Sequence, residues 1–375
     1  MRMKCKMIML MFAGSTLIAG CVQSNVLEKL GISVAIGFDG LPNDKLNVTS
    51  VILNPTPESP KKSEVITTIA NSGKGARIRI NSMLSHSSVS GQVRVVMFDR
   101  KLAKEGVSDV VENLTRDPFL GDSIYLAMSD GSANELLSYT YPQIPDIGTF
   151  LYEMIQQHIQ DDWVPSCTVQ DYRSAMYSIG GDAVLPLLKK KDENVEISGL
   201  VLFRDDKAVG EIDPSEGYLL KLLRGKQKEY LKEINVKRSE LRPYLLNEEE
   251  GNVHIVFSNI GRKVRIDLTS MKPIQFKVRV HMDVELQEIT DHYNFSNDKA
   301  IRLLQKKIGE EMTKETNQLI QKLQRMKSDA IGFGNVYRSS VRNAHLTRKK
   351  WEKMYPEAKV ETQFKVNLIR TGTIE

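Results

Sequence analysis

Ile274-Gln275-Phe276-Lys277-Val278-Arg279-Val280-His281-Met282-Asp283-Val284-Glu285-Leu286-Gln287-Glu288-Ile289 alternates apolar and polar residues with strict period two. Successive side chains of a strand point to opposite faces, so Phe276, Val278, Val280, Met282, Val284 and Leu286 define one buried face and the intervening residues a wet one. The next periodic segment changes step. From Asp298 to about Lys327, Ile301, Leu304, Ile308, Met312, Leu319, Leu323 and Met326 recur every three or four residues, the spacing of one helix face. Such a helix is about 45 Å long. A half-buried strand needs a cover, so the apolar stripe of this helix is expected to lie on the 274–289 strand. Lys306, Glu310, Lys314 and Gln321 then fall on or near its free face. Gly332-Phe333-Gly334 breaks the chain, a second helix is expected from Val336 to Met354, and Val360 to Ile369 reads as a closing strand.

Toward the N-terminus, strand and helix patterns interleave. Ile32–Ile36 and Leu46–Leu53 flank the turn formers Asp39–Asp44 and read as a hairpin. Pro55, Pro57 and Pro60 cannot donate to a ladder and mark a surface loop. Helices are expected over Thr67–Leu84, Leu102–Leu114, from Ser132 and over Gly148–Gln160, with strands over Val93–Phe98 and Ser123–Met128. Lys189-Lys190-Lys191-Asp192-Glu193-Asn194 reads as a charged connector. Ile197–Phe203 and Ala208–Ile212 form a strand pair around Arg204-Asp205-Asp206-Lys207, followed by a leucine-faced helix capped near Ser215-Glu216. Val253–Ile260 and Lys263–Leu268 read as a second hairpin, and Pro273 marks another boundary. The fold class is α+β. Three mixed alpha/beta domains are expected, at 21–190, 191–270 and 271–375, behind a leader at 1–20.

The leader is legible from its chemistry. Arg2, Lys4 and Lys6 precede an apolar run from Met7 to Leu17, which ends in Ile18-Ala19-Gly20-Cys21. A basic start, a short apolar core and small residues before a cut site are the parts of a secretory signal peptide. Met7 to Gly20 is shorter than the roughly 17–25 residues that span a bilayer. The Ile-Ala-Gly-Cys ending resembles the lipobox of bacterial lipoproteins, which implies cleavage between Gly20 and Cys21 and a diacylglyceryl group on the Cys21 thiol.

Composition narrows the function further. The chain has 52 Lys and Arg against 47 Asp and Glu, and three of the basic residues belong to the leader, so the balance beyond it is nearly neutral. No domain-wide positive charge of the kind that marks nucleic-acid binders remains. Three cysteines, Cys5, Cys21 and Cys167, leave no disulfide framework. Cys167 reads as a small packed residue. His86, His158, His254, His281, His292 and His345 make no ligand pair at metal spacing. Gly180-Gly181-Asp182 and Gly332-Phe333-Gly334 lack the Lys-Ser/Thr ending of a phosphate loop and read as turns. Asp44, Asp161-Asp162 and Asp205-Asp206 read as solvated turn residues. Without a metal, phosphate or nucleophile constellation the chain is expected to be no enzyme and to hold no cofactor.

Several short segments together resemble the Ger(x)C family, the lipoprotein C subunits of nutrient germinant receptors in spore-forming bacteria. They are the lipobox at Cys21; Gly31-Ile32 through Gly37-Phe38-Asp39-Gly40; Leu102-Ala103-Lys104-Glu105-Gly106; Arg116-Asp117-Pro118; Gly199–Gly210 around Phe203-Arg204-Asp205-Asp206-Lys207; and Lys327-Ser328-Asp329-Ala330-Ile331-Gly332-Phe333-Gly334. Trp351 and Ile369-Arg370-Thr371-Gly372 complete the series. Val22 stands where many relatives have Trp. The resemblance implies a three-domain, non-catalytic, lipid-anchored protein on the outer face of the spore inner membrane. It would work beside two polytopic membrane subunits, A and B, as an accessory needed for germination signalling. The alternative is a lipid-anchored solute-binding protein that captures the nutrient directly, which a cleft between two similar alpha/beta lobes would favour.

Overall fold

A computed structural model describes residues 30–54, 62–84, 87–161, 163–225, 231–246 and 250–370. The leader, Gly20, Cys21, His86 and the proline loop at 55, 57 and 60 lie outside the described residues. In chain order the first half contains β1 (Leu30–Gly40), β2 (Leu46–Leu53), β3 (Ser63–Ala70), α1 (Gly73–Met83), β4 (Ser87–Val89), β5 (Val95–Phe98), α2 (Arg100–Glu105), α3 (Ser108–Thr115), β6 (Tyr125–Ser129), α4 (Ala133–Ser138), α5 (Ile147–Gln160) and α6 (Val169–Tyr177). The second half contains β7 (Val184–Lys191), β8 (Asn194–Arg204), β9 (Lys207–Ile212), α7 (Pro214–Arg224), β10 (Leu231–Lys237), α8 (Arg238–Leu241), β11 (Asn252–Met271), β12 (Ile274–Ile289), α9 (Asp298–Met326), α10 (Phe333–Ser340), α11 (Arg348–Met354) and β13 (Lys359–Arg370).

Two sheets organise these elements, an α+β arrangement. The larger runs β3-β2-β1-β5-β6-β7-β8-β9, with β4 also paired to β1. Its centre is parallel, because β1, β5, β6 and β7 are joined by helical crossovers, and its two flanks are antiparallel meanders. Val95 to Phe98 are all buried, as a strand covered by helices on both faces requires. The smaller sheet runs β10-β11-β12-β13. Its last pair is parallel, and α9 supplies much of the long crossover that this demands.

The alternation from Ile274 to Ile289 is realised as one 16-residue strand, with Phe276, Val278, Val280, Met282, Val284 and Leu286 all buried. The stripe of α9 is buried too, through Leu304, Ile308, Met312, Leu319 and Leu323. The helix axis, however, lies closest to β13 rather than β12. Gly309 permits this: a Cβ there would stand 3.2 Å from the Phe364 carbonyl. Thr313 Oγ1 accepts the Phe364 N–H at 3.3 Å, so the helix also occupies part of the sheet's open edge.

Several boundaries differ from the sequence expectation, each for a local reason. Residues 67–70 are strand, not helix, since β-branched Thr67 and Thr68 pair with Thr49 and Val48. Ser72 then caps α1 by accepting from Gly75 N. The single helix expected over Leu102–Leu114 is two, because Gly106 takes φ +131° between them. The charged connector at 189–194 is a tight hairpin in which Lys191 faces Asn194 and Asp192 has φ +52°. The hairpin expected at Asn259–Gly261 is one continuous strand with a bulge there, and the turn comes instead at Met271–Ile274. Residues 336–354 form two short helices, α10 and α11, rather than one.

Paired strands therefore run through both expected domain divisions, β7 with β8 across 190 and β11 with β12 across 270. Buried side chains of both sheets belong to one contiguous core.

Candidate functional site

The two sheets meet where Gly180-Gly181-Asp182 faces Lys327-Ser328-Asp329-Ala330-Ile331-Gly332-Phe333-Gly334. Lys327 ends α9 in the left-handed region, φ +55°, and turns the chain into this loop. Gly332 enters α10 with φ +98°. Asp329 is fully enclosed. Its Oδ1 accepts the N–H groups of Gly332 and Phe333, both at 2.9 Å. Its Oδ2 accepts Gly334 N at 2.7 Å and Trp351 Nε1 at 2.9 Å. Three successive backbone donors and one indole thus consume both oxygens. Burial raises the Asp329 carboxyl above the usual range, while these donors pull it back down.

A second buried carboxylate stands beside it. Asp182 Oδ2 accepts Asp329 N at 2.7 Å, and the Asp182 N–H donates to the Asp329 carbonyl at 3.1 Å, so the two aspartates clasp across the junction. Asp182 Oδ1 pairs with Arg348 Nη2 at 2.6 Å. Arg348 Nη1 donates to the Met176 and Ser178 carbonyls at 2.6 and 2.8 Å, and its Nε pairs with Asp205. Burial pushes Asp182 up to about 6, against the downward pull of Arg348. Arg224, at the end of α7, donates from Nε to the Ala330 carbonyl at 2.6 Å and from Nη2 to the Asp182 carbonyl at 3.1 Å. Enclosure lowers its pKa to about 10.

The glycines set how closely the halves approach. A Cβ on Gly180 would collide with Asn335 N and the Gly334 backbone, and one on Gly334 would stand 2.5 Å from Gly180 Cα and 2.8 Å from Trp351 Nε1. Phe276, Phe333, Tyr337, Trp351 and Tyr355 pack ring against ring beneath the loop.

Segments far apart in the sequence converge here. Ser328 Oγ donates to the Phe203 carbonyl at 2.7 Å, tying the loop to β8. Asp205 and Asp206 are not merely solvated turn residues: Asp205 holds Arg348, while the Asp206 carbonyl accepts Val107 N at 3.1 Å beside Gly106. Other singled-out positions are structural elsewhere. Asp39 accepts Ala133 N at 2.6 Å and Asn134 N at 3.0 Å, and Asp117 pairs with Arg77 at 3.1 Å. Cys167 is buried, and its thiol is pushed well up by that burial. His158 packs on Trp163, and His254 lies 3.2 Å from Glu233. No group of three His, Cys, Asp or Glu among the described residues could hold a metal ion. Sequence reading missed Arg224, Arg348 and Asp182 as partners. The only signal available was that glycine-aspartate turns occur in two distant places.

Beside the clasp lies a cavity of about 510 Å³ between α6, α7 and the 330–335 segment, with Arg224, Lys221, Asp171 and Asp182 among its walls.

The α+β architecture is that of a class of spore germination proteins. Residues 23–190 match the family described as "Spore germination protein N-terminal domain", and residues 198–372 match "Spore germination B3/ GerAC like, C-terminal". Together they cover most of the chain, which therefore belongs to the family of germinant receptor C subunits. Spore germination protein GerQC of Bacillus cereus is 23% identical over 96% of this chain and 97% of its own. Spore germination protein KC of Bacillus subtilis (strain 168) is 23% identical over 98% and 96%. The crystal structure of the GerBC protein has the same fold, with a TM-score of 0.54 and 18% identity over 89% of this chain and 96% of that one.

Proposed function

We infer that the chain is a non-catalytic, lipid-anchored subunit of a membrane receptor for germinants, needed for spore germination signalling. Cleavage between Gly20 and Cys21 would leave a diacylglyceryl group on Cys21, whose two chains suffice for stable attachment where one would hold only marginally. No helix among the described residues is long and apolar enough to cross a membrane. The body would sit on the outer face of the spore inner membrane beside the polytopic A and B subunits. The names of the relatives, all spore germination proteins, support the role in germination.

The saturation of Asp329 supports the non-catalytic part by taking the most deeply buried carboxylate of the junction out of acid–base chemistry. A general base or nucleophile needs a lone pair directed at substrate, and each Asp329 oxygen already accepts two N–H groups within the fold. Separate bonds join the sheets, the Asp182–Asp329 clasp, Arg348 and Ser328, which suits a body that passes a change at one face to the other. Direct nutrient capture is the lesser reading, since the two sheets, with nine and four strands among the described residues, are unlike lobes.

Fractionation of spores carrying Cys21→Ala tests the anchor, and co-purification of the tagged protein from spore membranes tests the complex. The mutant should leave the membrane and germination should fall. Unprocessed protein at normal membrane levels, or the wild type purifying without A and B, would overturn this reading.

A further inference from the structure

Arg224 has donors to spare. Its Nε and Nη2 are committed to the Ala330 and Asp182 carbonyls, but among the described residues Nη1 has no hydrogen-bond partner and no carboxylate lies within ion-pair distance. The nearby Asp182 oxygens are already held by Asp329 N and Arg348. A half-buried guanidinium that meets only carbonyls is costly, because neutral dipoles replace hydration less well than a counter-anion does. Arg224 lines the cavity of about 510 Å³, a volume in the range of small-molecule sites.

The remaining walls define what would fit. Ala175, Val184, Leu185 and Ile331 supply apolar surface, and the Asp171 and Asp182 carboxylates offset the charges of Lys221 and Arg224, which disfavours a multiply charged anion. The planar fork of an arginine matches a carboxylate. Asn335, whose Oδ1 accepts Ser178 Oγ, also lines the cavity and has its amide N–H₂ for a further bond.

We propose that this cleft is a binding site for a small monocarboxylate with an apolar body, held by Arg224. Because Arg224 also grips one carbonyl from each half of the junction, the bound anion would stiffen the contact between the sheets. Binding at this cleft would require neither the lipid anchor nor the A and B subunits.

Calorimetric titration of the purified full-length protein in detergent tests the site, with butyrate and benzoate as probes, butyramide and benzamide as uncharged controls, and inorganic phosphate for comparison. At least one acid should bind and its amide should not. Arg224→Gln should weaken that binding at least tenfold. Ser174→Trp, an exposed cavity-wall residue on α6, should block it while leaving the Arg224 contacts intact, which keeps the test decisive if Arg224→Gln fails to fold. Absence of binding by both acids, equal binding of acid and amide, affinity unchanged in both variants, or binding of phosphate alone would overturn the proposal.

Discussion

Trp351 donates its indole N–H to Asp329 Oδ2 at 2.9 Å, so the short helix α11 and the loop after α9 are locked through a single carboxylate. Removing that carboxylate strands three backbone N–H groups and the indole in a dry interior. Asp329→Ala should therefore cost about 3–5 kcal/mol in urea unfolding. Asp329→Asn should retain part of the loss, since its amide keeps one acceptor oxygen. A midpoint unchanged in the alanine variant would mean that the loop is not tied as described.

The Gly180–Gly334 approach predicts an asymmetric response to alanine. At either position a Cβ meets backbone, which cannot yield as a flexible side chain would, and a loss above about 2 kcal/mol is expected. Gly131→Ala is the matched control, because nothing lies within 4 Å of its added Cβ. It should be neutral or slightly stabilising. Thermal melts of the three variants side by side would separate steric contact from a general glycine effect.

Asp182 makes stability depend on pH. Its carboxyl is raised to about 6 in the fold, above the ordinary value of 3.8, so the folded protein holds this proton more tightly than the unfolded chain does. The contribution is fully present below about pH 4 and is lost as pH rises through about 6. Asp182→Asn cannot titrate, and across pH 4–7 its melting temperature should fall less than that of the wild type. Parallel curves for the two proteins would show that the proton resides elsewhere.

Sheet continuity makes a prediction about fragments. A piece ending at Lys190 keeps most of β7 but loses β8 and β9, which exposes the apolar edge at Val184–Leu188. Such an edge is a template for pairing with other chains. Residues 22–190 alone should aggregate or self-associate in size-exclusion chromatography, whereas residues 22–375 should be monodisperse.

The outward face of α9 separates scaffold from interface. Lys306, Glu310, Lys314 and Gln321 are exposed, and Lys306 and Lys314 make only surface pairs with Glu310 and Glu311, at 3.7 and 2.7 Å. Such pairs contribute about 0–1 kcal/mol. Lys306→Glu and Lys314→Glu should therefore melt like the wild type. Loss of A and B from pull-downs with these variants would mark an interface, and normal retention would make the helix scaffold.

The sequence by itself determined the elements whose signal is local: the alternation of Phe276 to Leu286, the helical stripe between Ile301 and Met326, the strand expected over Val93–Phe98 and realised at Val95–Phe98, and the helix opening at Ser132, whose hydroxyl accepts Glu135 N at 3.2 Å. Side-chain period and capping depend on residues within a few positions of one another, so one chain shows them. Tertiary structure alone decided that residues 67–70 pair with β2, that the 189–194 charges make a hairpin, and that α9 lies nearest β13. It also decided the meaning of the glycine-aspartate turns. Asp182 and Asp329 are 147 residues apart, and neither turn contains any trace of the other. Taken alone, each reads only as a turn. The clasp, the committed oxygens of Asp329 and the spare donor of Arg224 follow only when the sheets close on one another, because burial converts a turn aspartate into an acceptor that must be satisfied from within.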